Sequence, residues 1–146
     1  MEPAVGLPSP RGTDGGHVIV GSGIDVVEIA RIERLLSQSR QRFEERVFTR
    51  AEILDCRRFR RDAPQFALRF AAKEALMKAV GTGWARGVRW VDIGTCMDPR
   101  VTGGSLRLTL SGRVAEIAQE LGCTAAHLAV SRTRSHAMAV VLLEAR

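Results

Sequence analysis

Residues 64–80, PQFALRFAAKEALMKAV, constrain the fold more than any other segment. Asp62-Ala63-Pro64 is a helix start signal and Gly81 a stop. The span between them predicts one helix of about 17 residues, ~25 Å long at 1.5 Å per residue. On a wheel at 100° per residue, Phe66, Phe70 and Met77 fall within about 40° of one another and form an apolar stripe. Arg69, Lys73, Glu74 and Lys78 are the only breaks in a run of Ala, Leu, Met, Phe and Val over residues 66–80. A helix that is apolar nearly all round is a buried helix, so the rest of the chain must enclose it.

The flanking sequence supplies the enclosure. HVIVGSGIDVVEI (17–29) is a β-branched run with a Gly-x-Gly break, which predicts a strand to about Asp25, bulged at the glycines. ARIERLLSQ places Ile32, Leu35 and Leu36 at helical spacing, and Thr49 followed by Glu52 is a capping box opening another helix. After the long helix, VRWVDIGTCM and SLRLTLSG read as strands joined by the turn MDPRVTGG. GRVAEIAQELG is an amphipathic helix closed by Gly122, and HLAVSRT and AMAVVLLEA are two last strands. The fold class is therefore α+β: an antiparallel sheet packed with a long buried helix. Pro, Gly and Ser dominate residues 1–16, which predicts a mobile tail ahead of one domain at 17–146.

The charges on the long helix are misplaced for a structural element. Of 22 basic residues 20 are Arg, and both lysines, Lys73 and Lys78, flank Glu74 in this one helix. They border the aromatic stripe, where a carboxylate needs a cation partner. One reading is a Glu74–Lys78 pair at i,i+4 spacing. A second carboxylate, Asp25, sits among glycines and β-branched residues at a strand end, where an acid is poor for packing. Two isolated carboxylates suit a hard cation such as Mg²⁺, which takes one or two of them and completes its shell with water and phosphate oxygens. A lysine beside such a site is a compact charge that reaches one oxygen. The amides of Gly81, Thr82 and Gly83 could line a phosphate, but the loop follows no strand and is not a P-loop.

A net charge of +6 and a surplus of Arg between residues 31 and 61 point to a polyanionic partner or substrate. Most of those Arg are expected on a solvated face laced with i,i+4 pairs. Aromatic residues make up 5% of the chain and no base-stacking motif is present, which argues against nucleic acid. No stretch approaches the ~20 apolar residues that span a bilayer. No apolar segment of a signal peptide is present. Cys56, Cys96 and Cys123 match neither a disulfide framework nor a zinc spacing, which suits reduced thiols in a cytoplasmic protein. Basic neighbours favour the Cys56 thiolate. His127 and His136 begin strands with no partner acid evident, and His17 belongs with the tail.

GIDVVEIARIERLL (23–36) and RFAAKEALMKAVGTG (69–83), with RFEERVFTRAEI and WVDI in support, resemble the holo-acyl-carrier-protein synthases, the small type of 4′-phosphopantetheinyl transferase. The likeness runs from about residue 18 to 146 and implies that fold. It also implies Mg²⁺-dependent transfer of the 4′-phosphopantetheine arm of coenzyme A to a serine of an apo acyl carrier protein, releasing adenosine 3′,5′-bisphosphate. By similarity Asp25 and Glu74 match the metal ligands, with Glu74, Lys78 and Asp25 forming the catalytic group. Lys73, Lys78, Gly81, Thr82, Gly83 and Arg132 fall to the coenzyme. Arg31 meets the acidic carrier, and Arg34 and Arg42 of the local surplus join it. Glu74, a metal-bound water and a carboxylate of the partner are all candidates for accepting the serine proton. The resemblance further implies a cytoplasmic homotrimer with sites between subunits, acting in fatty acid biosynthesis and lipid metabolism. Two departures stand out: Gly-Gly-Ser at 103–105 where the family has Gly-Lys-Pro, and Arg132 where it has His. Arg132 can bind a phosphate in bidentate fashion but cannot shuttle protons near neutral pH. A binding module of the same fold with impaired catalysis is the alternative these departures raise.

Overall fold

The computed structural model describes residues 16–97 and 105–146. The turn MDPRVTGG after its first residue, and with it the departure at 103–104, lies outside them, as does the tail up to residue 15. In chain order the elements are β1 (Val18–Glu28), α1 (Ile29–Val47), α2 (Arg50–Cys56), α3 (Ala63–Val80), β2 (Ile93–Met97), β3 (Leu106–Leu110), α4 (Gly112–Glu120), β4 (Ala125–Arg132) and β5 (His136–Ala145). A single 3₁₀ turn at Trp90–Asp92 precedes β2, where the sequence suggested unbroken strand. Two antiparallel sheets form rather than one: a three-stranded sheet in the order β1-β5-β4, and the β2-β3 hairpin apart from it.

The local signals govern the boundaries of the helices. Pro64 occupies the first turn of α3, and Gly81 closes it in the left-handed conformation at φ 75°. Thr49 and Glu52 form the full capping box of α2, each side chain accepting the other's backbone N–H. α1 is broken at Ser39, whose φ of −158° and ψ of 60° are not helical. Strand β1 outruns its expected end at Asp25 and continues to Glu28, because β5 offers it partners as far as His136. Its register slips between Ile19 and Gly21, next to the glycines where a bulge was expected.

α3 lies across the inner face of the larger sheet, where Ala137, Ala139, Val141 and Leu143 of β5 are fully buried. Of its residues from Ala63 to Val80, all are buried except Gln65, Glu74 and Lys78. Glu74 and Lys78 mark the side left open in its C-terminal half, while Gln65 is half-buried near its start. Gly21 and Gly23 bring β1 against it. A β-carbon on Gly23 would lie 1.9 Å from the Ala75 carbonyl oxygen, and one on Gly21 would lie 2.3 Å from that of Ala79. Strand and helix backbones thus meet without intervening side chains, and Asp25, next on the same face of the strand, is delivered to the helix. The opposite face of the sheet carries Ile24, Val26, Met138 and Leu142, all exposed. Among the described residues no helix is long and apolar enough to cross a membrane.

Candidate active site

The two lysines of α3 have unrelated surroundings. Lys73 is wholly buried, and its three N–H donors go to the Val47 carbonyl (2.7 Å), Glu52 Oε2 (2.7 Å) and the Trp90 carbonyl (3.3 Å). The other carboxylate oxygen of Glu52 accepts from the Thr95 N–H (2.9 Å) and hydroxyl (2.6 Å). Every lone pair and proton of this buried pair is engaged, the condition for tolerating charge in a core. Burial presses the pKa of Lys73 downward while Glu52 works to restore it. Lys73 is therefore a structural cation, closed off from the place its motif position gave it beside a coenzyme. Arg69, also buried, pairs with Asp55 and reaches the Gln65 carbonyl at 3.2 Å.

Lys78 faces outward, one turn on. Its ammonium donates to Asp25 Oδ1 at 2.8 Å and to the Ile24 carbonyl at 2.9 Å. β1 is an edge strand, which leaves that carbonyl within reach. The expected i,i+4 pair with Glu74 is replaced by this contact across elements. Glu74 instead accepts from the indole N–H of Trp84 at 3.2 Å. Its pKa is raised, first by burial and then by the charge of Asp25, against the opposing pull of Trp84, Lys78 and Arg31. Asp25, Glu74, Lys78 and Arg31 therefore share one electrostatic neighbourhood. Residues 53 positions apart in sequence, Asp25 and Lys78, touch because of the glycine crossing.

Other assignments divide. The Gly81 amide donates to the Lys78 carbonyl at 3.2 Å and is not free for a phosphate. Thr82 donates its hydroxyl to the Gly83 carbonyl at 3.1 Å, in the loop that carries Trp84 back to the helix. Arg31 stands over the Phe70 ring at 5.8 Å, tying the start of α1 to the site. Arg34 and Arg42 are exposed on α1. The helical Arg pairs prove mostly tertiary: buried Glu44 takes Arg40 and Arg57 together, Asp62 also takes Arg40, and Glu33 takes Arg61. Among the described residues, Arg31, Arg34, Arg42, Arg46, Arg50 and Arg60 make no ion pair. Arg132 ends β4, two strands over from Asp25 and two residues along, and its side chain makes no hydrogen bond to the described residues.

Three smaller expectations change. Cys56 is buried, and its pKa is pushed up to about 12 because desolvation outweighs the charge of Arg69. Its basic sequence neighbours do not activate it. His127 has an acid after all, Glu144 at 3.2 Å, and His17 hydrogen-bonds the same carboxylate from the start of the domain. Trp84 joins the site through its indole contact with Glu74, although the sequence singles out only Gly81, Thr82 and Gly83 of its loop. The signal available was an aromatic directly after the loop that closes a charged helix.

Among the described residues no group of three or more His, Cys, Asp and Glu side chains is arranged to hold a metal ion. A cage of protein ligands alone, as for structural zinc, has no place there. Two hard carboxylates on a half-open surface do fit Mg²⁺, which keeps waters and shares phosphate oxygens. Asp25 and Glu74 would hold it, with Lys78 alongside.

Residues 21–141 match the family model described as the 4′-phosphopantetheinyl transferase superfamily. A holo-[acyl-carrier-protein] synthase of Koribacter versatilis is 44% identical over 127 residues, which are 87% of this chain and 99% of that protein. Among solved structures, a holo-(acyl-carrier-protein) synthase from Bacillus anthracis in complex with CoA (3′,5′-ADP) superposes with a TM-score of 0.71 at 35% identity, covering 88% of this chain and 98% of the other. A holo-[acyl-carrier-protein] synthase from Neisseria meningitidis gives 0.77 at 32% identity, covering 86% and 98%.

Proposed function

This chain belongs to the 4′-phosphopantetheinyl transferase superfamily, and from that premise we propose that it acts as a holo-[acyl-carrier-protein] synthase. The 4′-phosphopantetheine of coenzyme A passes to a serine hydroxyl of an apo acyl carrier protein. A new serine oxygen–phosphorus bond forms, the phosphorus–oxygen bond to the leaving nucleotide breaks, and adenosine 3′,5′-bisphosphate departs. The observation that carries this reading is the convergence of Asp25, Glu74 and Lys78 where β1 crosses α3. Bound between the carboxylates, Mg²⁺ would supply positive charge against the pyrophosphate.

The protein's own groups do the rest. Lys78 is half exposed and lines a shallow depression with Ser22, Gly23, Ile24 and Val140, from which it can turn to a phosphate oxygen. We assign the serine proton to Glu74, since the other carboxylate, Asp25, is already paired with Lys78. Arg31 lies between the site and the unpaired arginines of α1, a surface suited to an acidic carrier that presents its serine to Glu74. Arg34 and Arg42 extend that surface.

The depression at Lys78 runs onto the apolar outer face of the sheet, where Ile24 and Val26 are each 54% exposed. A face of this kind seldom stays open on a monomer. We take it as the contact between copies of this chain, in keeping with a homotrimer whose sites lie between subunits. Arg132, on the exposed end of β4, is then free to meet a phosphate of coenzyme A bound across that contact.

The test is to incubate apo acyl carrier protein with the protein, coenzyme A and Mg²⁺, and to weigh the carrier. The expected result is a gain of one phosphopantetheine that EDTA prevents. No gain with several carriers, alongside measurable coenzyme A binding, would contradict transfer and favour a binding module.

A further inference from the structure

The loop after α3 turns back on the helix it has just left. Gly81 and Gly83 take φ of 75° and 55° there, and the reversal sets Trp84 beside Glu74. The indole lies on Trp90 with ring centroids 3.6 Å apart and planes inclined by 26°. Trp90 stacks in turn on Phe70 of α3, at 5.0 Å, and its carbonyl accepts the buried ammonium of Lys73. Trp84 is thus held from below by an aromatic pile rooted in the core.

An indole N–H is a neutral donor. It fixes one oxygen of a carboxylate while leaving the negative charge available to a cation, which Lys78 cannot do for Asp25. Partners of this kind orient metal ligands, and removing one commonly costs 10–100-fold in metal affinity. We propose that Trp84 is the positioning residue of Glu74: its N–H anchors Oε1 and turns the carboxylate toward Asp25, setting the affinity of the site for a divalent ion. The inference rests on the reading of Asp25 and Glu74 as ion ligands. It places part of the site in the loop that follows the charged helix.

The probe is Mn²⁺, titrated into the full chain with saturating coenzyme A while free ion is followed by electron paramagnetic resonance. Trp84→Phe keeps a ring on the stack and removes the N–H. Its Mn²⁺ dissociation constant is expected to rise about tenfold or more. An unchanged constant in Trp84→Phe, while Asp25→Asn loses binding, overturns the positioning role and leaves the ligands in place. Equal binding by the parent and Asp25→Asn overturns the ligand reading itself. A second readout uses the parent protein. The chain has two tryptophans, hence two indole N–H resonances, and Trp90→Phe identifies that of Trp84. With coenzyme A present, Mg²⁺ should move the Trp84 resonance more than that of Trp90, and a stationary Trp84 resonance overturns the proposal.

Discussion

Glu74 carries a charge that its surroundings disfavour, since burial first and Asp25 second raise its pKa. An acid whose folded pKa lies above its unfolded value binds more protons folded than unfolded between the two. Stability therefore falls as pH rises through that interval. Glu74→Gln is accordingly expected to melt higher than the parent at neutral pH while losing transferase activity. Asp25→Asn should likewise lose activity with the fold intact. Circular dichroism and the carrier mass assay check both, and activity surviving either change would mean the site is misassigned. Because a metal displaces the proton of Glu74, the Mg²⁺ needed for half-maximal activity should increase as pH falls, by about tenfold per pH unit below that raised pKa. The acids themselves were legible in the sequence as charges in places poor for packing. What each lysine does was not, because spacing on one helix cannot show that Glu52, 21 residues before Lys73, comes to meet it.

The crossing of β1 on α3 is the element on which the site depends. Gly23→Ala would set a methyl group 1.9 Å from the Ala75 carbonyl oxygen, a backbone atom that cannot swing aside. Strand and helix must separate, at a cost of about 1–3 kcal/mol of stability. Asp25 moves away from Glu74, so activity should fall further than the melting temperature alone accounts for. Lys73 makes the opposite test. Lys73→Met leaves Glu52 buried without its cation and should cost about 3–5 kcal/mol in urea unfolding. Replacing Glu52 by Gln as well should recover part of that loss. Caps, stops and the buried character of α3 could be read from local chemistry, as Thr49, Pro64 and Gly81 show. The split into two sheets could not, since nothing near β1 in the sequence names β5 as its partner.

For the molecule as a whole, the exposed row of Ile24, Val26, Met138 and Leu142 predicts association. Light scattering should give the mass of a trimer, and Val26→Asp should shift it toward the monomer with loss of activity. A parent protein that scatters as a monomer and is fully active would rule out the contact. Family motifs in the sequence announced the chemistry, whereas this face was hidden in the alternation of strands whose pairing had first to be known. Asp25 and Glu74, 49 residues apart, are proposed to hold a divalent ion jointly against coenzyme A. Crystals grown with coenzyme A and Mn²⁺ measure it directly through the anomalous signal of manganese. A peak bonded to both carboxylates and to the coenzyme is expected. A peak bonded to only one of the two side chains, or to neither, would contradict it.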